Sequence, residues 1–247
     1  MGGKSDKPLL NKGQRLDGRA FDELRPIKIK AGVIKQADGS CELEFGETKV
    51  LAAVYGPKKV LPKHLEKSDK AYLSVYYYMA AFSTSERNRP GPSRRSKEIS
   101  KVIKDSLAPA IHLEKYPQTN ISIFIQITNA NAGTRTAAIN AASVALVDAG
   151  IEMKDIVTSV AAGKIENKVV LDLFQDEDNF GQADLPIAIM PRTKEITLLQ
   201  MDGDMTPEEV DKAIEISIKS CKDIAKLQRQ AIITKYKQDD METKNDK

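Results

Sequence analysis

Apolar residues recur along this chain with two distinct periods. In residues 121–127 (Ile121-Ser122-Ile123-Phe124-Ile125-Gln126-Ile127) they alternate with period two, the mark of a half-buried strand. Residues 26–35, 41–45, 48–55 and 72–79 also read as strands, with Asp38-Gly39 and Gly46-Glu47 as hairpin turns. From 96 to 116 the period lengthens: Ile99, Val102, Ile103, Leu107 and Ile111 recur at helical spacing, and Pro109 kinks or divides that helix. Residues 137–149 are apolar and alanine-rich, and Gly150 closes them as a C′ residue. The order then repeats. Residues 157–165 and 168–173 pair across Glu166-Asn167, and 185–190 and 195–200 form two more strands. A final helix opens at Thr206-Pro207-Glu208-Glu209, with Thr206 as N-cap, Pro207 at N1 and Glu209 completing a capping box, and reaches about residue 236. Two strand-cluster-then-helix units predict a duplicated α/β (α+β) architecture, with two sheet-plus-helix halves (about 15–150 and 151–236) packed around central helices. What repeats is the order of elements, not the residues. Residues 1–14 and 237–247 are polar and predict flexible tails.

Composition narrows the partners. The chain has 247 residues, 38 basic and 35 acidic, so no global field selects nucleic acid and any such binding must use local patches. Two cysteines, Cys41 and Cys221, are too few for a disulfide framework or a thiolate metal site, and a reducing cytoplasmic compartment fits best. No apolar run approaches the roughly 20 residues of a membrane span, and the opening residues lack a signal peptide's apolar segment, so no membrane partner is expected.

Three constellations carry candidate chemistry, each with a plainer alternative. Gly133-Thr134-Arg135-Thr136 lies between a strand and a helix, where unpaired N–H groups and the helix dipole favour an anion and Arg135 adds a forked cation. A simple capped turn is the plainer alternative. The acidic run from Asp172 to Asp178, followed by Asp184, is either a solvated loop or a pair of carboxylates able to share a proton or a divalent cation. Arg87 to Lys97 is a Pro/Gly-rich loop ending where a helix begins, with Ser93 or Ser96 as its cap. Arg94 and Arg95 there oppose the helix dipole, which suits an anionic partner or a merely solvated loop. A fourth cluster, Lys58, Lys59, Lys63 and His64, precedes Tyr76, Tyr77 and Tyr78, of which Tyr77 should face opposite to its neighbours. Such aromatic and basic residues can hold single-stranded RNA or simply pack. The two histidines, His64 and His112, lie in no activating motif, and no GxxxxGK[ST] phosphate loop is present. Together, a phosphate cradle, arginine clamps and paired carboxylates are the parts phosphoryl transfer needs.

The same residues resemble the RNase PH family of phosphorolytic exoribonucleases. The likeness rests on Arg15-Leu16-Asp17-Gly18-Arg19 with Glu23-Leu24-Arg25-Pro26, on the segment from Pro92 to Ile99, on that from Asn131 to Ala137, and on Glu177-Asp178 through Ala183-Asp184. It covers about residues 13–235. Pro62-Lys63-His64-Leu65, residues 82–87 and Met205-Thr206-Pro207 are similar to the catalytic ring subunits of archaeal exosomes. The resemblance implies a duplicated RNase PH fold and 3′→5′ degradation of single-stranded RNA. Inorganic phosphate is the co-substrate, a nucleoside diphosphate is released, and the reaction can run backward to add tails. It also implies the roles. Arg94, Arg95, Lys63 and His64 would contact RNA. Gly133, Thr134, Arg135 and Thr136 would bind phosphate. Asp178 would be the acid, and Asp184 would support it or bind Mg²⁺. Asn131 stands where the motif commonly carries Asp. The implied assembly is a hexameric ring, a trimer of heterodimers with a homologous inactive subunit, under RNA-binding cap subunits. A non-catalytic RNA-binding ring subunit and a self-assembling tRNA-trimming RNase PH are the alternatives.

Overall fold

The structure, a computed structural model, describes residues 8–245, with side chains through residue 237. The first half builds a five-stranded sheet from β3 (Ile27–Ala31), β4 (Gly39–Phe45), β5 (Thr48–Lys59), β6 (Tyr72–Met79) and β7 (Thr119–Asn129), in the order β3-β4-β5-β7-β6. Only the β6–β7 pair is parallel, joined by a crossover through helix α1 (Arg94–Leu107). After helix α2 (Thr134–Asp148) the second half adds β8 (Thr158–Ile165), β9 (Lys168–Leu171), helix α3 (Gln175–Phe180), β10 (Ala183–Met190), β11 (Glu195–Leu199) and β12 (Asp202–Gly203). Its sheet runs β11-β10-β8-β9, with β12 paired to the start of β10. Helix α4 (Pro207–Asn245) closes the chain.

Helix α2 is the centre. From Thr136 to Leu146 every residue is buried, because α2 packs on β4 and β5 of one sheet, on β8 and β10 of the other, and against α1 and α4. A helix walled on all sides cannot be amphipathic, and its alanines let both sheets come close. The approach is tightest at Gly39, where a Cβ would sit 2.2 Å from the Ala149 amide nitrogen. In α1, by contrast, one stripe is buried, Ile99, Ile103 and Leu107 facing β6 and α2. Asn140, mid-α2, donates to Ser159 O and accepts from Ser159 N, fastening the helix to β8 without leaving its amide unpaired.

Several local expectations hold: Glu166 and Asn167 both have positive φ in the β8–β9 hairpin, and Thr206 and Glu209 form the reciprocal cap of α4. Others need correction. The helix expected over 96–116 starts at Arg94 and ends at Leu107, giving way to a 3₁₀ turn (Ala108–Ala110) around Pro109, whose ring cannot follow a helical turn. Ile111 therefore leaves the helix and bridges Met153. The final helix continues to Asn245, beyond the expected end near 236, so the segment expected as a flexible tail from 237 is helical through that residue. At the other end, residues 1–7 and 246–247 lie outside the described residues. The rest of the expected N-terminal tail forms a ribbon, β1 (Leu10–Asn11) with β2 (Gln14–Arg15), and Leu9 and Leu10 are buried against Ile165, Val170 and Leu173. Too few apolar residues lie there to show a period, but two suffice to dock a ribbon.

Candidate active site

A cleft of about 1110 Å³ lies between the halves, its wall formed by the starts of α1 and α2, by α3, and by the paired ends of β10 and β12. The two long helices meet it differently. At α1 the cap is complete: Ser93 accepts from the Ser96 amide at 3.0 Å, and the Ser96 hydroxyl accepts from the Ser93 amide at 2.7 Å. Arg94 and Arg95, the first helical residues, are exposed on the cleft wall. At α2 no side chain caps the helix. Ala132 and Gly133 both take left-handed φ (55° and 59°) to turn the chain from β7 into the helix, a conformation costly for alanine. The open N–H groups of this turn and the helix dipole make it the cleft's anion-favouring corner.

That corner is held from several sides. Tyr77, buried on β6 as its alternation requires, donates its hydroxyl to Thr134 Oγ1 at 2.9 Å, and Thr136 Oγ1 bonds Gly133 O at 2.9 Å. Arg25 donates to Asn131 O and, through Nη2, to Asp172 at 2.7 Å. A Cβ on Gly133 would lie 3.2 Å from that guanidinium. The departure at Asn131 has a structural reading: its amide donates to Glu47 at 2.6 Å and accepts from the Gln175 amide at 2.9 Å. A carboxylate could not donate to Glu47. Arg135 crosses toward the second half, donating from Nη1 to Gln200 Oε1 at 2.9 Å, while its Nε is buried without a partner.

The opposite wall is acidic. The second part of the acidic run, read as either a solvated loop or a carboxylate pair, folds into α3, whose buried Glu177 pairs with fully buried Arg15 through two bonds, at 2.8 and 2.5 Å, and accepts from the Phe174 amide. Arg15 also donates to Leu171 O and Asp172 O, so the pair fixes α3 against the strand that precedes it. Asp178, the next residue, then lines the cleft, solvent-accessible yet crowded by protein. Burial pushes its carboxyl above the ordinary range, with Asp202 adding to the rise and Arg95, Arg135 and Arg25 opposing it. Asp184 opens β10 beside Asp202 of β12. Burial, then Asp178 and Asp202, push its carboxyl up to about 7 against the pull of Arg135, and its Oδ1 is buried with no hydrogen-bond partner. The charge of Asp178 thus favours the protonated form of Asp184.

Arg94, Arg95, Gly133, Thr134, Arg135, Thr136, Asp178 and Asp184 thus meet in one cleft. Lys63 and His64 do not line it. They sit exposed in a 3₁₀ turn before β6, whereas the cleft lies at that strand's far end, roughly 25 Å of extended chain away. The tyrosines do not form a stacking platform in the cleft either. Tyr77 is buried, and Tyr76 stacks on Phe124 at 5.0 Å. Sequence reasoning missed Asp202, Gln200 and the Arg15–Glu177 pair. Asp202 and Gln200 join the site through strand pairing across a turn. The Arg15–Glu177 partners are 162 residues apart, so no local signal marks them.

The comparisons follow this geometry. Residues 23–152 match domain 1, and residues 155–220 domain 2, of the RNase PH 3′ exoribonuclease family. The chain belongs to that family, and its activity is that of a phosphorolytic 3′ exoribonuclease. Among curated proteins it is 55% identical over 233 residues to the exosome complex component Rrp41 of Methanopyrus kandleri, spanning 94% of this chain and 98% of that one. It is 54% identical over 237 residues to the same component of Thermococcus onnurineus, spanning 96% and 95%. Rice (Oryza sativa) Rrp46 superposes with a TM-score of 0.80 at 27% identity, covering 88% of this chain and 99% of that one. An Archaeoglobus fulgidus exosome with RNA bound to the active site shares the fold, with a TM-score of 0.75 at 23% identity over 86% of this chain and 92% of that one. Among the described residues no helix is long and apolar enough to cross a membrane.

Proposed function

We propose that this chain is the catalytic subunit of an exosome ring. The observation that carries the proposal is the cleft, which sets an uncapped helix N-terminus and Arg135 opposite Asp178 and Asp184, with Arg94 and Arg95, which make no ion pair among the described residues, beside them. Inorganic phosphate binds at the start of α2 through the Gly133–Thr136 turn and Arg135. Arg94 and Arg95 hold phosphates near the 3′ end of the RNA. One oxygen of the bound phosphate attacks the last phosphorus of the strand in line, and the bond to the penultimate 3′-oxygen breaks. That oxygen takes a proton from the Asp178–Asp184 pair, and a nucleoside diphosphate leaves. Phosphate rather than water attacks, so the bond energy stays in the diphosphate and the reverse reaction, tail addition, uses the same groups.

The site also suits Mg²⁺. Among the described residues no three metal-ligating side chains cluster tightly enough for a protein-only cage. The unpartnered Asp184 Oδ1 beside Asp178 fits the usual Mg²⁺ arrangement, one or two carboxylates completed by water and substrate phosphate. Bound there, the ion would neutralise charge on the reacting phosphates. In the assembly we infer a homologous inactive ring partner in a hexamer, a trimer of heterodimers, with RNA-binding caps. This extends the similarity to relatives named as exosome components. Lys63 and His64, distant from the cleft, would contact RNA further from its 3′ end. Two free, buried cysteines fit a cytoplasmic setting.

The test is the product. Incubated with a single-stranded RNA, alone and with its ring partner, the chain should release nucleoside diphosphates only when inorganic phosphate is supplied. Monophosphates, or degradation without phosphate, would refute the mechanism.

A further inference from the structure

The arginines of this protein divide by partner. Arg15 is paired with Glu177, and Arg19 and Arg25 share Asp172, so each buried or half-buried guanidinium there is neutralised by a carboxylate. Arg135 is different. It is half-buried in a cleft lined by Asp178, Asp184 and Asp202, yet among the described residues it makes no ion pair. Its one hydrogen-bonding side chain is the neutral amide of Gln200, at 2.9 Å, and its Nε is left buried and unpartnered. Gln200 is itself well placed to act as a fixed post. It directly follows β11, whose Leu199 pairs with Ile187 of β10, and its backbone N–H donates to Pro186 O at 3.2 Å. The post belongs to the second half and the arginine to the first.

We propose that Gln200 is a positioning residue for Arg135: a neutral acceptor that fixes the direction of the guanidinium without neutralising it, reserving its charge for the incoming phosphate dianion. A carboxylate in the same place would give a stronger, forked pair and compete with phosphate for the same N–H groups. An apolar residue would leave the charge but lose the aim.

The proposal rests on phosphate binding at Arg135, and three variants of the full-length chain separate the two. Binding is read as the rise in melting temperature with added inorganic phosphate, and as KM for phosphate and for RNA in the reconstituted enzyme. Gln200→Glu should raise the phosphate concentration needed for half-effect by about tenfold or more, the scale of one hydrogen bond to a charged group. Gln200→Met should raise it less, and neither should move KM for RNA. Arg135→Ala should abolish the phosphate response. If Arg135→Ala keeps that response, the phosphate site is misplaced and the proposal goes with it. If Arg135→Ala loses it while Gln200→Glu binds phosphate like the parent, only the role of Gln200 is overturned. Equal shifts in both KM values would also overturn it, because a general structural role predicts them. Should Gln200→Glu fail to fold, Gln200→Met still decides: parent-like phosphate affinity there refutes the positioning role.

Discussion

The two halves share an architecture but bring opposite chemistry to the cleft. The first half supplies fixed positive charge: Arg94, Arg95, Arg135 and the uncapped start of α2. The second supplies Asp178, Asp184 and Asp202; burial and the charge of Asp202 raise the proton affinity of Asp178 and Asp184, and Asp178 raises that of Asp184 further. An arginine keeps its charge at any working pH, while a crowded carboxyl can give or take a proton. On the proposed mechanism the first half binds and the second moves the proton. Neither is complete alone, because Arg25–Asp172, Arg15–Glu177, Asn131–Gln175 and Arg135–Gln200 are all contacts between elements far apart in the chain.

That division can be broken first at its acid. Asp178→Asn should lower the rate of nucleoside diphosphate release by about 10²–10⁴-fold, the usual worth of a positioned acid, with RNA affinity little changed. A fully active Asp178→Asn enzyme would remove the second half from the chemistry. The next largest effect concerns what holds Asp178 in place. Glu177→Gln leaves buried Arg15 without its close carboxylate partner, with only Asp17 at 3.9 Å remaining, and should cost about 3–5 kcal/mol in urea unfolding. Replacing both partners by apolar residues should restore much of that loss, and a single variant as stable as the parent would mean that the pair does not secure α3.

A pH experiment sharpens the comparison. The folded Asp184 carboxyl titrates near 7 and its unfolded counterpart near 3.8, so between these values the folded state binds more protons and stability falls as pH rises. Asp184→Asn escapes that loss. Relative to the parent it should gain about 1–3 kcal/mol between pH 5 and 8.5, measured as the change in denaturant midpoints. A constant gap across that range would show that the second half does not hold its proton unusually tightly. The smallest effect belongs to the fixed charges. Arg94→Ala and Arg95→Ala should each weaken RNA binding and reduce the log–log salt slope by about 0.7, the single-strand value per phosphate contact. An unchanged slope would leave these arginines without an RNA role.

Much of this was legible residue by residue. The period-two run of β7, the alanine-rich α2, the Thr206–Glu209 cap and the Glu166-Asn167 turn are local features, each decided by neighbours within a few positions. The family motifs marked Arg94, Arg95, Arg135, Asp178 and Asp184 before any of them had a place in space. The rest depends on packing. Six residues of α3 are too few to show a helical period, and an acidic run reads as solvated until a buried arginine far back in the chain claims Glu177. Pairing between β10 and β12 brings Asp202 beside Asp184, and the β10–β11 ladder brings Gln200 to Arg135. The same tertiary arrangement leaves Lys63 and His64 outside the cleft. The sequence by itself determined the elements, their order and the reactive residue types, since those follow from short-range periodicity and capping. Which charges are neutralised, which carboxyls hold a proton and which arginine stays free were decided only by the fold, because each depends on burial and on partners that meet when the two halves close on α2.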